Sequence, residues 1–135
     1  MLCATAAISI SASERMIPSD PFLELTEMRC TCYIDSGTMA SGQQTRPYVM
    51  AAKKEWMGCV AALYDINPDG SVGEFIGYFE ILDTGAGIDT DGDGKGDSIP
   101  NGTSVDVWMP SMADAKAWVS THGDYVYLKL FKGEG

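Results

Sequence analysis

Hydrophobic and polar residues alternate at every second position in short runs that begin at residue 28. The last run, "DYVYLKLF" over residues 124–131, alternates tyrosine and lysine with valine and leucine. A period of two places successive side chains on opposite faces of a strand, so each run predicts a β-strand with one buried face. Such runs predict six strands, over residues 28–34, 48–52, 59–66, 73–82, 103–109 and 124–131.

Turn and helix signals organise these runs. "NPDGSV" separates the third run from the fourth, and because Pro-Asp-Gly favours a tight turn, the two runs predict a β-hairpin. "SMADAKAWVSTHG" has the spacing of a helix instead: Ser111 and Asp114 are placed as in a capping box, and Gly123 is a typical residue after a helix end. One short helix is therefore predicted over about residues 111–122.

Six short strands and one helix predict an all-β fold, a small six-stranded β-barrel with an acidic loop inserted before its fifth strand. We assign residues 28–135 to this single domain, which is long enough to bury a core. Residues 1–27 are expected to form a weakly structured N-terminal extension. Their start, "MLCATAAISISAS", is mildly apolar but has no basic residue before Arg15, so we find no clear signal peptide.

The charge balance excludes some partners. The chain has 19 acidic and 9 basic residues, a net charge of -10 and a sequence pI near 4.3. Nucleic-acid backbones are bound by clustered lysine and arginine, so we expect no nucleic-acid partner. No apolar run approaches the ~18 residues of a membrane-spanning helix, so we expect no membrane span.

The cysteines allow two hypotheses. Cys30 and Cys32 alternate on one predicted strand, and Cys59 begins a later one. They are either buried free thiols, or Cys59 forms a disulfide with Cys30 or Cys32. A zinc site is not favoured, because the C-x-C spacing is unusual and the chain has a single histidine.

The stretch "DTDGDGKGD" has the pattern of a calcium-binding loop. Aspartates occupy its positions 1, 3, 5 and 9, a glycine occupies position 6, and position 7 offers a backbone carbonyl. Position 12 is Pro100 rather than the bidentate glutamate of an EF-hand, so a calcium ion would need another ligand. We predict a structural Ca²⁺ site, with a solvated Asp-Gly turn as the alternative. The predicted ligands are Asp89, Asp91, Asp93, Lys95 and Asp97.

Two further aspartates flank this stretch. Asp83 ends a predicted strand, and Asp106 lies inside the apolar run "SVDVW". Burial raises the pKa of a carboxyl group, and a second carboxylate nearby raises it further. A protonated carboxylic acid beside an ionised one is the arrangement that cleaves glycosidic bonds, although such pairs also serve structural roles.

Five segments over residues 28–131 together resemble a 3D (three-aspartate) domain. They are "CTCYIDSGTMASG", "VMAA", "FEILDTGAG", "NGTSVDVWMPSMADAKAW" and "GDYVYLKL". The resemblance implies a double-psi β-barrel, related to the catalytic domain of membrane-bound lytic transglycosylase A. It also implies that Asp106 is the catalytic acid and base and that Asp83 is its partner carboxylate. The expected substrate-binding residues are Tyr33, Ser41, Lys53 and Thr84.

The sequence departs from the family at one position. The first family aspartate falls on Lys53 in "AAKKEW", and a lysine beside a carboxyl group lowers its pKa, the reverse of what a general acid requires. The connection from Asp83 to Asp106 is also longer than is usual in the family, because it contains the acidic stretch.

The leading functional hypothesis is a peptidoglycan lytic transglycosylase that cleaves the bond between N-acetylmuramic acid and N-acetylglucosamine with a 1,6-anhydro product. The alternatives are a non-catalytic module that binds cell-wall glycans or serves as a phage structural protein with a calcium-stabilised loop, and a hydrolase that uses water. The expected partner is the peptidoglycan glycan strand, in the cell wall, in the secreted fraction or on a phage virion. Aromatic residues considered for stacking on sugars are Tyr33, Tyr48, Trp56, Tyr78 and Trp108, with core packing as the alternative.

Overall fold

The computed structural model describes residues 23–132, which form six strands and one helix. The elements are β1 (Leu23–Tyr33), β2 (Val49–Ala51), β3 (Val60–Ile66), β4 (Val72–Asp83), β5 (Ser104–Trp108), α1 (Met112–His122) and β6 (Tyr125–Phe131), with a single 3₁₀ turn at Lys54–Trp56. All six predicted strands and the predicted helix are confirmed. β1 begins five residues before the predicted strand, so residues 23–27 of the predicted extension belong to the sheet. The rest of that extension lies outside the described residues.

The six strands form one mixed sheet in the order β1-β5-β2-β4-β3-β6. β6 also pairs with β1, so every strand has two neighbours and the sheet closes on itself. The pairs β1·β5 and β2·β4 are parallel, and the other four pairs are antiparallel. The antiparallel pairing of β3 with β4 confirms the predicted hairpin.

The inner face of the sheet holds the main hydrophobic core, to which every strand contributes alternate residues. On β5, for example, Val105 and Val107 are fully buried. Helix α1 closes one side of this core through Trp118, whose ring meets that of Phe79 edge-on at 5.8 Å between centroids. The predicted cap is confirmed, because the Asp114 amide donates to Ser111 Oγ at 3.1 Å. Among the described residues, no helix is both long and apolar enough to cross a bilayer.

A smaller hydrophobic cluster lies on the outer face of the same strands. The connection between β1 and β2, residues 34–48, folds over this face, and we refer to it as the covering loop. Its Met39 is 3% exposed and packs with Val49, Leu82 and Trp108, with Tyr33 at the margin. This part of the sheet is therefore buried on both faces, which allows a polar residue on its outer face to be partly buried.

The thiols of Cys30 and Cys32 are free. Cys30 and Cys59 are buried and Cys32 is half-buried. Burial, and next the charge of the neighbouring Asp106, raise the pKa of the Cys32 thiol to about 11, so this thiol stays neutral near pH 7. Because Cys30 and Cys32 are free thiols, the predicted disulfide between Cys59 and either of them is wrong, and the hypothesis of free thiols describes Cys30 and Cys32.

Candidate functional site

Asp106 is the central residue of β5 and points away from the inner core. Val105 and Val107 on either side of it are turned inward, so the alternation of the strand directs Asp106 to the outer face. In the register of the sheet, Asp106 lies beside Thr31 of β1 and Ala51 of β2. Ala51 has a small side chain, and it lines the same cleft as Asp106.

The surroundings of Asp106 favour its protonated form. Burial is the largest cause and raises the pKa of this carboxyl above its usual range, and the charges of Asp35 and Asp83 raise it further. The hydroxyl of Thr31 donates to Asp106 Oδ1 at 2.9 Å and acts in the opposite direction. Burial dominates, so the pKa of Asp106 is shifted in the direction that a general acid requires.

Asp83 reaches the same face only because β4 contains a β-bulge. Met50 of β2 pairs with Ile81, but the next residue, Ala51, pairs with Asp83, so Leu82 is an extra residue. Ile81 points into the inner core, and strict alternation would turn Asp83 inward as well. The bulge instead places Asp83 on the outer face with Leu82. Asp83 and Asp106 then lie on either side of Ala51, two strand spacings or about 10 Å apart at their Cα atoms.

The carboxylate of Asp83 is held by three protein donors. The hydroxyl of Tyr33 donates to Oδ2, and the amides of Ala40 and Thr84 donate to Oδ1, each at 3.0 Å. Burial, and next the charge of Asp83, raise the pKa of Tyr33, so its phenol remains a donor at neutral pH. Asp83 therefore ties together β1, the covering loop and the segment that follows β4.

A polar cleft of about 310 Å³ opens over these residues. Its lining includes three carboxyl groups, those of Asp35, Asp83 and Asp106, with the remainder supplied largely by small residues. Sequence reasoning missed Asp35, although "YIDSG" places an aspartate two residues after the end of β1, where strand ends meet the rim of a closed sheet. The complete lining is Tyr33, Asp35, Ser36, Gly37, Thr38, Thr45, Ala51, Asp83, Thr84, Gly85, Ala86, Gly87, Ile99 and Asp106.

The structure separates the predicted substrate-binding residues into two groups. Tyr33 and Thr84 line the cleft with the two predicted catalytic aspartates, whereas Ser41 and Lys53 are not part of its described lining. The Ser41 amide instead donates to the carbonyl of Leu82 at 3.0 Å, which fixes the covering loop. The Lys53 ammonium lies 5.9 Å from the centroid of the Trp56 ring. Lys53 is not among the groups that shift the pKa of Asp106, so its place in the sequence does not disqualify that residue as an acid.

The aromatic residues considered for sugar stacking occupy different environments. Tyr48 is 59% exposed and has a backbone φ of +66°, which is uncommon for a residue with a side chain. It lines a second, more apolar groove of about 460 Å³ together with Trp118 and His122. The His122 Nδ1 lies 2.7 Å from the carboxylate of Asp65, so this histidine is paired with an aspartate. Trp108 is only 7% exposed and belongs to the outer cluster, which favours core packing for this residue.

The connection between β4 and β5, residues 84–103, is the acidic loop, and its base is fixed against the sheet. Ile99 is 1% exposed, and Ser98 Oγ lies 2.6 Å from Ser104 Oγ in a buried contact. The Ile88 amide donates to Ser98 Oγ at 2.8 Å. Gly87 lies so close to Ser98 that a Cβ atom at position 87 would collide with the Ser98 hydroxyl oxygen. Protein contacts alone therefore position the base, part of which lines the cleft.

The tip of the acidic loop brings three of its four aspartates together. Carboxylate oxygens of Asp89, Asp91 and Asp97 all lie within 4.8 Å of one another. Asp93 accepts a hydrogen bond from the Lys95 amide at 2.8 Å and is not part of this group. The amides of Gly92 and Gly94 donate to Asp89 at 2.8 Å each, and they lower its pKa.

Three of the five predicted calcium ligands thus converge. Each ionised carboxylate offers about four lone-pair directions, and three amides already donate to Asp89, so this carboxylate keeps about one direction for a hard cation. The donor set fits a weak calcium site that water would complete, and calcium binding by this loop stays a prediction.

Scans against protein-family models, curated proteins and solved structures found no match to this chain. The resemblance to the 3D domain therefore depends on the motifs of this sequence and stays a prediction. The cleft provides the chemical elements of acid-assisted glycosidic cleavage, which are a carboxyl group with a raised pKa and further carboxylates beside it.

Proposed function

We propose that this protein cleaves peptidoglycan glycan strands as a lytic transglycosylase, with Asp106 as general acid and base. One observation carries the proposal. Asp106 is a partly buried carboxyl group whose pKa is raised, and it opens into a polar cleft that contains two more carboxyl groups. Glycosidases use this combination to protonate a leaving oxygen and to stabilise an oxocarbenium-like charge.

The proposed reaction needs no reactant besides the glycan. The Asp106 carboxyl proton passes to the glycosidic oxygen as the bond from C1 to that oxygen breaks, and the bonding pair leaves with the oxygen. The C6 hydroxyl oxygen of the same muramoyl residue then bonds to C1 and closes the 1,6-anhydro ring. Its proton returns to Asp106, which regenerates the acid.

We further propose that the closed sheet is a double-psi β-barrel. The six-stranded closed order, the two parallel pairs β1·β5 and β2·β4, and the single helix after β5 support this assignment. The motifs of the 3D domain support it independently, because the two family aspartates that are present, Asp83 and Asp106, line one cleft.

The proposed substrate also determines where the protein would act. Peptidoglycan lies outside the cytoplasmic membrane, so the enzyme would act in the cell wall, after secretion, or from a phage virion. The acidic surface suits a substrate without dense negative charge, since like charges repel. In this scheme the acidic loop is a structural element, with Ca²⁺ at its tip as the proposed stabilising ion.

Digestion of purified peptidoglycan tests the proposal. Mass spectrometry of the soluble products should show 1,6-anhydromuropeptides. Asp106→Asn keeps the shape of the side chain and removes its proton, so it should lower release by roughly 10²- to 10⁴-fold. Asp124→Asn makes the same substitution at an exposed position outside the cleft and should release products at the wild-type rate.

Other outcomes select the alternatives. Products with reducing ends and no anhydro ring would indicate hydrolysis by water. No release, together with sedimentation of the protein with insoluble peptidoglycan, would indicate a glycan-binding module. A fully active Asp106→Asn variant would contradict the assignment of the acid.

A further inference from the structure

We propose that Asp35 is the second substrate-facing carboxylate of the cleft, and that Asp83 is a positioning residue that holds the covering loop. This inference rests on the proposed function and changes the role expected for Asp83. Asp35 is also a third acidic group in the cleft, at a position that the family motif does not predict, because the first family aspartate falls on Lys53.

The backbone of Asp35 is fixed while its carboxylate is free to meet a ligand. Asp35 follows β1 at the rim of the sheet, and its carbonyl accepts a hydrogen bond from Trp108 Nε1 at 3.0 Å. Trp108 is buried two residues beyond Asp106 on β5, so it links the position of Asp35 to the strand that carries the acid. The Asp35 side chain is exposed in the cleft, and no described residue donates a hydrogen bond to its carboxylate.

Asp83 has the opposite character. Both of its carboxylate oxygens accept hydrogen bonds, one from Tyr33 and the other from the amides of Ala40 and Thr84. A carboxylate offers about four lone-pair directions, so protein donors use most of its capacity. Two of these donors are backbone amides of segments that border the cleft. Asp83 therefore shapes the cleft through the loops it holds.

The electrostatic coupling within the cleft agrees with this geometry. Asp35 raises the pKa of Asp106, and its contribution exceeds that of Asp83. The titratable groups coupled to Asp106 are Cys30, Cys32 and Tyr33 on β1, Asp35 at the start of the covering loop, and Asp83 at the end of β4. The raised pKa values of the two thiols and the phenol keep these groups neutral, so Asp35 and Asp83 are the acidic neighbours that act on Asp106.

In the proposed reaction Asp35 acts while the bond to C1 breaks. The Asp106 proton moves to the departing oxygen, and positive charge develops on C1 and the ring oxygen. The Asp35 carboxylate faces this charge and stabilises it without forming a bond. Attack by the C6 hydroxyl then removes the charge, and the hydroxyl proton passes to Asp106, so Asp35 ends the cycle unchanged.

Kinetics of Asp35→Asn on purified peptidoglycan test the inference, with Asp124→Asn as the matched control for the lost charge. We expect roughly a 100-fold lower rate of anhydromuropeptide release with an unchanged melting temperature, because the carboxylate stabilises charge and holds no loop. Asp35→Glu should recover part of the lost rate. Asp83→Asn should instead lower the melting temperature together with the rate.

The pH profile gives a second readout that a purely structural role would not move. Activity requires protonated Asp106, so it is lost as the pH rises through the pKa of that group. Removal of the Asp35 charge lowers this pKa, so the alkaline limb of the residual activity should move to lower pH in Asp35→Asn and stay in place in Asp124→Asn.

The outcomes separate this inference from the proposed function. If the wild type releases anhydromuropeptides and Asp35→Asn does so at the same rate, Asp35 has no role, while the proposed function stands. If Asp83→Asn loses activity without a loss of thermal stability, the two roles are reversed and the inference is wrong. If the wild type releases nothing, the proposed function fails and the role of Asp35 fails with it.

Discussion

The cleft and the tip of the acidic loop each gather three aspartates, but the pKa of Asp106 in the cleft and those of Asp89 and Asp97 at the tip are shifted in opposite directions. In the cleft, burial raises the pKa of Asp106. At the loop tip, hydrogen bonds from glycine amides lower the pKa of Asp89, and hydrogen bonds from Thr90 lower that of Asp97. Local acidity in the sequence therefore does not indicate the protonation state of a carboxyl group, which depends on the solvent and donors that the fold supplies.

The two regions also differ in how they are assembled. The loop tip is built from residues within a span of nine, whose amides donate to neighbouring carboxylates over short sequence distances. The cleft joins the end of β1, the bulge of β4 and the middle of β5. Local structure is enough to form the tip, whereas the cleft requires the closed sheet.

Two glycines with nearly the same backbone φ provide the largest expected difference in stability between the two regions. Gly87, in the base of the loop and the lining of the cleft, has φ +79°, and Gly92, at the tip, has φ +80°. An alanine at either position costs about 1–2 kcal/mol for its left-handed conformation. Gly87→Ala also collides with Ser98, which adds about 1–3 kcal/mol, whereas nothing lies within 4 Å of a Cβ at Gly92. Equal losses of unfolding free energy for Gly87→Ala and Gly92→Ala, measured with urea, would contradict a packed loop base and an open loop tip.

Removal of one aspartate from each region gives the next largest contrast. Asp83→Ala should lower the free energy of unfolding by roughly 2–3 kcal/mol, because the half-buried Tyr33 hydroxyl and two amides lose their acceptor. Asp93→Ala, at an exposed position with one amide contact, should cost less than about 0.5 kcal/mol. Chemical denaturation of both variants measures the difference. A loss of unfolding free energy for Asp83→Ala no larger than that for Asp93→Ala would show that Asp83 does not hold the covering loop.

Titration of individual carboxyl groups tests the opposite pKa directions directly. NMR of the side-chain carboxyl carbons should place the midpoint of Asp106 above the ordinary aspartate value of 3.8, and those of Asp89 and Asp97 below it. A midpoint for Asp106 at or below that value would remove it as a candidate acid.

The same shifts have opposite effects on stability. The contribution of Asp106 to the free energy of unfolding is fully present below the pKa of this group in the unfolded chain. It is lost as the pH rises through the raised pKa of the folded state. The contributions of Asp89 and Asp97 are present above their unfolded pKa and are lost as the pH falls through the lowered folded values. Asp106→Asn should therefore be more stable than the wild type at pH 7, and this advantage should disappear below pH 3.8.

Calcium should produce the smallest effect, and only at the loop tip. At a calcium concentration ten times the dissociation constant, binding to the folded state alone adds about 1.4 kcal/mol and raises the melting temperature by several degrees. Asp89→Asn should abolish the shift, and Asp124→Asn should preserve it. The absence of any shift at millimolar calcium would favour the Asp-Gly turn without a metal.

The sequence alone determined the secondary structure and part of the site. Alternation of period two predicted all six strands, and the Ser111 cap with Gly123 predicted α1, because these signals act between near neighbours. An aspartate between inward-turned valines also identified Asp106, because its burial follows from the pattern of a single strand. The acidic loop was recognisable for the same reason, since its geometry is local.

Only the tertiary structure decided how these elements meet. Alternation along β4 would turn Asp83 into the core, and the bulge at Leu82, which arises from pairing with β2, places it in the cleft. The structure brought Asp35 to Asp106, because that approach depends on which strands become neighbours when the sheet closes. Lys53 instead lies beside Trp56 in the local turn after β2, outside the described lining of the cleft. A strand pattern determines which face a residue occupies, but strand pairing determines which residues of other strands it meets.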